Sequence, residues 1–363
     1  MKTMKKTIII SAIAAAFLGT GCVSNDVFSP EEKQVEICFT TPVVGSMTKA
    51  PVYGEIGPTY PTTENFTIFG VRHASTYDGW ATDNAVSYIN GAVFTYYKDY
   101  NDATTGTYGW KALNQKYYWP MSGVLSFGGY SPSSAHATEP GEGTGKFSYN
   151  ENGVQIADFT VNPNIAEQQD VMYAKRTYNK TTNAGGVNEI YDGVDIEFAH
   201  ALSAIKFTAQ LDGEYESKFT VTSITIGGVK GKGDFNEMVV DKYNDDEVTY
   251  SSSPSWAVEG SNTTYAVFSG THELSKTSQT VAENIILLPQ TMTAAAYITI
   301  KYKVGDVNTA EELESTVMIE DLTSEWVMST RYTYNITLGY DLIYVGATVD
   351  RWETEQDVNI PIN

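Results

Sequence analysis

Residues 117–132 read Tyr117-Tyr118-Trp119-Pro120-Met121-Ser122-Gly123-Val124-Leu125-Ser126-Phe127-Gly128-Gly129-Tyr130-Ser131-Pro132. Three aromatics run into Pro120, which has no backbone N–H and so ends a ladder. After a Ser-Gly turn the chain resumes with Val124, Leu125 and Phe127, then leaves through Gly128-Gly129 and a Ser-Pro break. The pattern predicts a core strand preceded by a proline-broken aromatic one. Such a strand needs a sandwich around it.

Short β-rich runs recur on both sides of this stretch. Upstream are 35–40, 66–71 and 93–97, the last turning through a polar loop at 101–109 back to Trp110. Downstream are 159–161 and 170–174, then a Lys-Thr-Thr-Asn-Ala-Gly-Gly linker at 180–186. Beyond it, runs at 194–207, 219–226, 264–268, 284–288, 297–304, 316–319 and 332–338 are separated by Gly-, Asn- and Asp-rich turns. This spacing predicts an all-β sandwich architecture. At 363 residues the chain is long enough for two domains. Their expected bounds are 35–190 and 191–363, after a signal at 1–21 and a polar tether at 22–34.

The formal charge of −21 makes the surface strongly acidic. Phosphate backbones are repelled by such a surface, which excludes nucleic acid as a partner and suits a solvated extracellular protein. The N-terminus reads as a secretory signal. Lys2, Lys5 and Lys6 precede an apolar run at 8–18 that is too short to span a bilayer. Gly19-Thr20-Gly21-Cys22 then resembles a bacterial lipobox, with Leu18 one place further from the cysteine than usual. A lipobox implies a diacylated Cys22 as the new N-terminus, held in the outer membrane at ~0.8 kcal/mol per buried methylene. The alternative is an ordinary signal with an incidental cysteine. With Cys22 acylated, Cys38 has no partner for a disulfide and is a small strand residue.

Residues 35–40 alternate Val35, Ile37 and Phe39 with Glu36, Cys38 and Thr40, the pattern of a half-buried first strand. A break follows at 45–51, then a proline-rich irregular run to Pro61.

Catalytic patterns are absent from the sequence. It contains no GxSxG elbow, and His272-Glu273 lacks the second histidine of a zincin helix. Residues 227–233 have the wrong spacing for a phosphate loop and read as a glycine-rich hairpin. His73, His136, His200 and His272 share no ligand spacing, so no metal or cofactor is expected, and His200 reads as a core-edge histidine. Asp241, Asp245, Asp246 and Glu247 lack the ligand order of a calcium loop and read as a solvated turn. No pair stands out among 44 acids as a glycosidase pair. Tyr96, Tyr97, Tyr100, Tyr108, Trp110, Tyr117 and Tyr118 offer either a sugar-stacking face or, by strand alternation, a half-buried set.

Six stretches, in order, resemble the fimbrillin family of Bacteroidales, the type V pilins. They are Thr48-Lys49-Ala50, Trp119-Pro120 with Leu125-Ser126-Phe127 and Tyr130-Ser131-Pro132, Asp170-Val171-Met172-Tyr173-Ala174, Phe198-Ala199-His200-Ala201-Leu202-Ser203, Leu287-Leu288-Pro289-Gln290, and Tyr332-Thr333-Tyr334-Asn335-Ile336. The resemblance implies two transthyretin-like Greek-key β-sandwiches in tandem, lipoprotein export, and assembly with neighbouring subunits of the same family into surface fimbriae that meet host or bacterial ligands. It also implies proteolytic removal of the first strand, with its groove refilled by a neighbour's strand. On these residues the removable strand is Val35, Ile37 and Phe39, the cut falls between Lys49 and Ala50, and Val358, Ile360 and Ile362 are the candidate donor edge. One departure stands out. The family's usual protease is arginine-specific, and no arginine lies between Cys22 and Arg72. Two further readings remain beside the pilin: an uncut, lipid-anchored accessory or glycan-binding protein of the outer membrane, and a hydrolase with carboxylates converging in a cleft.

Overall fold

The structure, a computed structural model, describes residues 35–45, 60–73, 80, 85–97, 109–120, 123–180, 193–213, 215–244, 247–340 and 343–351. Among these the only helical turns are three short 3-10 turns, so the protein is all-β as the sequence predicts. The strands are β1 (Val43–Val44), β2 (Phe66–His73), β3 (Val86–Tyr97), β4 (Gly109–Ala112), β5 (Val124–Ser131), β6 (Lys146–Asn150) and β7 (Gly153–Thr160). Next come β8 (Met172–Lys180), β9 (Glu197–His200), β10 (Ser203–Leu211), β11 (Phe219–Asn236), β12 (Val239–Asn244), β13 (Glu247–Ser252) and β14 (Ser255–Glu273). The last are β15 (Gln279–Leu287), β16 (Gln290–Thr291), β17 (Tyr297–Val304), β18 (Glu312–Met318), β19 (Glu325–Trp326), β20 (Thr330–Leu338) and β21 (Ile343–Arg351).

Seven strands form the first sheet in the order β1-β9-β8-β5-β2-β3-β4. A second sheet runs β18-β17-β11-β7-β6 with β14 also on β11, and a third runs β15-β10-β20-β21. The long β11 joins regions distant in sequence. Its first half pairs with β17, its last residues pair with β7, and β14 follows it along the other edge.

Within the 117–132 stretch, β5 occupies the middle of the first sheet, and every one of its residues is buried. Successive side chains of a strand point to opposite faces, and here each face meets a different core. Leu125 and Phe127 belong to one cluster with Phe66, Ile68, Met172 and Phe198. Tyr130 belongs to the other, with Phe147, Ile156, Tyr173 and Ala199. The Gly-Gly pair is inside the strand, not an exit from it. A Cβ on Gly128 would stand 2.3 Å from the Tyr149 ring, and one on Gly129 would stand 2.3 Å from the Thr67 carbonyl oxygen. Close approach on both faces therefore requires glycine at both positions.

Packing does not change hands at residue 190. Val194, Ile196 and Phe198 lie in the first cluster, whereas Phe147, Val154, Ile156 and Phe159 lie in the second. The β6–β7 hairpin covers the far face of the first sheet and continues into the second sheet through β11.

Where β8 meets that hairpin, two charged side chains are wholly buried. Arg176 donates to the Tyr149 hydroxyl and to the carbonyls of Asn150 and Glu151, and its guanidinium lies over the Trp80 and Tyr149 rings. The Glu237 carboxylate accepts from the backbone N–H groups of Val154 and Arg176. Burial pushes the Tyr149 phenol up to about 12, with Arg176 pulling it back and Glu237 adding to the rise.

Arg176→Met removes the donors to the Tyr149 hydroxyl and to the carbonyls of Asn150 and Glu151, and leaving buried acceptors unpaired should lower unfolding free energy by about 1–3 kcal/mol or more in urea titrations. A loss below about 1 kcal/mol would show that the joint does not depend on it. Burial alone also raises Tyr265 to about 12. Unfolded tyrosines ionise near 10, so above that pH the unfolded chain binds fewer protons than the folded one. Stability should hold below about pH 10 and fall from there to about pH 12, and Tyr149→Phe should flatten the slope.

Candidate functional site

The seven-stranded sheet has two edges, β4 at one end and β9 with the short β1 at the other. Residues 35–45 bond to both. On the β4 side, Phe39 and Trp110 exchange N–H···O bonds of 2.8 and 3.0 Å. Ile37 N donates to the Tyr117 carbonyl at 2.8 Å, and Trp119 N donates to the Val35 carbonyl at 2.9 Å. On the other side, Val194 N donates to Cys38 O, while Thr40, Val43 and Gly45 donate to the carbonyls of Val194, Ile196 and Phe198, all at 2.8–3.0 Å. Phe39 is thus bridged antiparallel to Trp110 and parallel to Val194 at the same time. The segment is a strap that closes the sheet on itself.

This differs from the regular half-buried strand expected at 35–40. The contacts of 35–42 are isolated bridges, and the first regular pair is Val43–Val44 running parallel to β9. A strap that passes from one edge to the other cannot hold one continuous ladder. Ile37 and Phe39 point into the first cluster as predicted, and Val35 packs at its margin. Cys38, expected on the open face, is buried as well and is in no disulfide.

The Phe39 ring is fully buried against Phe94, Phe127 and Phe66, at centroid distances of 4.9, 5.4 and 5.9 Å and near-perpendicular planes. Edge-to-face pairs of this kind add about 0.5–1.5 kcal/mol each to the area burial. Polar contacts fix the register around the ring. Glu36 lies 3.6 Å from both Lys111 and Lys116, and the Thr40 hydroxyl donates to Asp195 at 2.8 Å.

Tyr60 completes the seat. It belongs to the proline-rich run read as irregular, yet its ring is buried, stacked on Phe198 at 5.6 Å, and its hydroxyl meets Ser131 Oγ at 2.7 Å. Burial holds its phenol well above the usual tyrosine range. One tyrosine among 25 gave no signal of this in the sequence. The pairing of the strap with 194–198 was equally hidden, because alternation marks a strand without naming its neighbour.

Beside the strap is an open cleft of about 500 Å³, walled by Thr40, Thr41, Lys175, Thr177, Asp195 and Glu197. Its two carboxylates are committed, Asp195 to the Thr40 hydroxyl and Glu197 to Lys175. His200 is a core histidine whose Nδ1 sits 2.9 Å from Asp170, both nearly inaccessible. His136 Nδ1 accepts from the Phe147 N–H at 3.0 Å, and burial lowers its pKa. No group of three metal-ligating side chains occurs among the described residues. The aromatic row is broken up. Trp110 is buried, Tyr96, Tyr117 and Tyr118 are half-buried, and Tyr97 is exposed beneath Lys111. Cys22, Lys49, Ala50, Val358, Ile360 and Ile362 lie outside the described residues, as do Tyr100 and Tyr108.

Solved structures with the same fold include two from Bacteroides. A fimbrial protein from Bacteroides vulgatus superposes with a TM-score of 0.54 at 15% identity, covering 87% of this chain and 99% of that one. An inferred cell adhesion protein from Bacteroides uniformis gives 0.50 at 16%, covering 88% and 99%. At those identities the likeness speaks for the fold. No curated protein matches the sequence. A fimbrillin-like family profile matches residues 61–352, from just after Tyr60 through to the end of β21. With most of its length under that one profile, the chain belongs to the fimbrillin-like family.

Proposed function

We propose that this chain is a subunit of cell-surface fimbriae, assembled by strand exchange through the slot that the strap fills. The observation that carries this reading is the double bridge of Phe39 to Trp110 and Val194. Taking residues 35–45 away would leave two sheet edges facing one another across an apolar groove. Unpaired edges and exposed apolar side chains worth ~1.5–3 kcal/mol each favour capture of another extended segment. In this reading the protein is exported as a lipoprotein acylated at Cys22, two transthyretin-like sandwiches in tandem. A protease acts between Lys49 and Ala50, and the donor is a neighbouring subunit's segment of the kind formed by Val358, Ile360 and Ile362. The chain is a structural component with no cofactor. Its ligands are other subunits and the surfaces that the fimbria meets.

The second reading keeps the strap in place, as an uncut anchor or accessory subunit held in the outer membrane. The absence of arginine between Cys22 and Arg72 favours it, since the exchange reading then rests on a cut at lysine.

Limited digestion of the purified chain with a lysine-specific protease separates the two. Exchange predicts that cleavage after Lys49 converts monomer into SDS-stable ladders and filaments visible by electron microscopy, and that Lys49→Gln prevents both. Native fimbriae whose subunits begin at Ala50 would agree. Cut chains that stay monomeric, or polymers built of acylated Cys22 chains, would establish the accessory reading instead.

A further inference from the structure

We infer that the slot selects its occupant by sequence, accepting an extended segment of another subunit that presents an acid, an aliphatic residue, a small residue and an aromatic ring in succession. This rests on the strand-exchange reading and names the partner's chemistry. The order is that of Glu36, Ile37, Cys38 and Phe39, and each place has a physical counterpart in the walls. The acid meets Lys111 and Lys116, each 3.6 Å from the Glu36 carboxylate. The aliphatic and aromatic places open into the first cluster, where three phenylalanine edges surround Phe39. The small place is buried away from that cluster.

Two electrostatic effects compete at the acid position. A chain of charge −21 repels an acidic segment overall, but that field is screened beyond about 8 Å at physiological salt. The lysine contacts lie well inside this distance. Lys111 is the stronger reader because its side chain is 21% exposed and faces a Glu36 that is 16% exposed, whereas Lys116 is 66% exposed. Exposed pairs contribute little, so discrimination should follow Lys111.

The chain's own residues 357–361, Asp-Val-Asn-Ile-Pro, satisfy this order only in part. Setting Asp357 in the place of Glu36 puts Ile360 where the ring stands. It also puts Pro361 where the Thr40 N–H bonds to Val194, and proline has no N–H to give. Shifting by two residues restores that donor and replaces the acid with Asn359. A segment from a different subunit, with acid and ring both in place, fits better than a second copy of this chain.

The test uses the full chain with a sequence-specific protease site replacing residues 46–50 and a fluorophore ahead of the strap. It is cut after folding, unfolded in urea, then refolded with competing synthetic peptides. The peptide of residues 34–45 should displace the labelled strap. Glu36→Lys in that peptide should compete about fivefold less well, Phe39→Ala more than about a hundredfold less, and the 352–363 peptide less than the 34–45 peptide. Lys111→Gln in the protein should remove the Glu36→Lys difference. If that variant does not fold, about 1 M salt should remove it in the unaltered chain. Equal competition by all peptides would overturn sequence selection and leave strand exchange standing. Failure of even the 34–45 peptide would overturn both.

Discussion

A β-sheet with two open edges must dispose of the backbone N–H and C=O groups along them, and this protein does so with one short segment. Residues 35–45 give four backbone hydrogen bonds to the 110–119 edge and four to the 194–198 edge. Each bond contributes only about 0.5–1.5 kcal/mol net, but leaving the partner buried and unpaired costs about 1–3 kcal/mol. The strap is held by this asymmetry as much as by its side chains. Its loss exposes both edges together and leaves Phe66, Phe94 and Phe127 without the ring they enclose. The resulting gap has the length and polarity of a strand, so what fills it best is another strand.

The remaining architecture keeps that gap in shape. β5 is buried on both faces, which makes the first sheet a wall shared by two cores rather than the face of one. Behind it the β6–β7 hairpin is fixed by Tyr149 over Gly128 and by the buried Arg176 and Glu237 contacts. Buried charge is weak evidence for stability, because its desolvation offsets much of the attraction. Here the hydrogen bonds of Arg176 and Glu237 tie the hairpin to β8. The hydrogen bond between Asp170 and His200 likewise ties the residues just before β8 to the end of β9.

Much of this was legible in residue order. The dense aromatic and β-branched runs gave an all-β fold, Phe66–His73 lies where a strand was expected, and Ile37 and Phe39 were read as core residues. The strand expected at 219–226 runs on to Asn236, through the stretch at 227–233 that was read as a glycine-rich hairpin. What remained hidden was which edge meets which. Val194, Ile196 and Phe198 alternate like any strand, and their period carries no sign that they close the first sheet. The Gly-Gly pair was read as an exit because glycine usually marks one. Its real cause, the approach of Tyr149 and the Thr67 carbonyl, is tertiary. Cys38 was placed on an open face by alternation, whereas the strap is covered on both sides. Local pattern reports how a segment folds and which side chains want burial, and the pairing partner is decided elsewhere in the chain.

The central claim is that the strap is an integral closing strand before any cut is made, and native-state hydrogen exchange measures this directly. In the intact chain the amides of Phe39, Thr40, Trp110 and Val194 should exchange only through global unfolding, with the same free energy and denaturant dependence as Ile68 and Leu125 in the core. Exchange of the strap amides through a low-energy local opening, while Ile68 and Leu125 remain protected, would contradict the account.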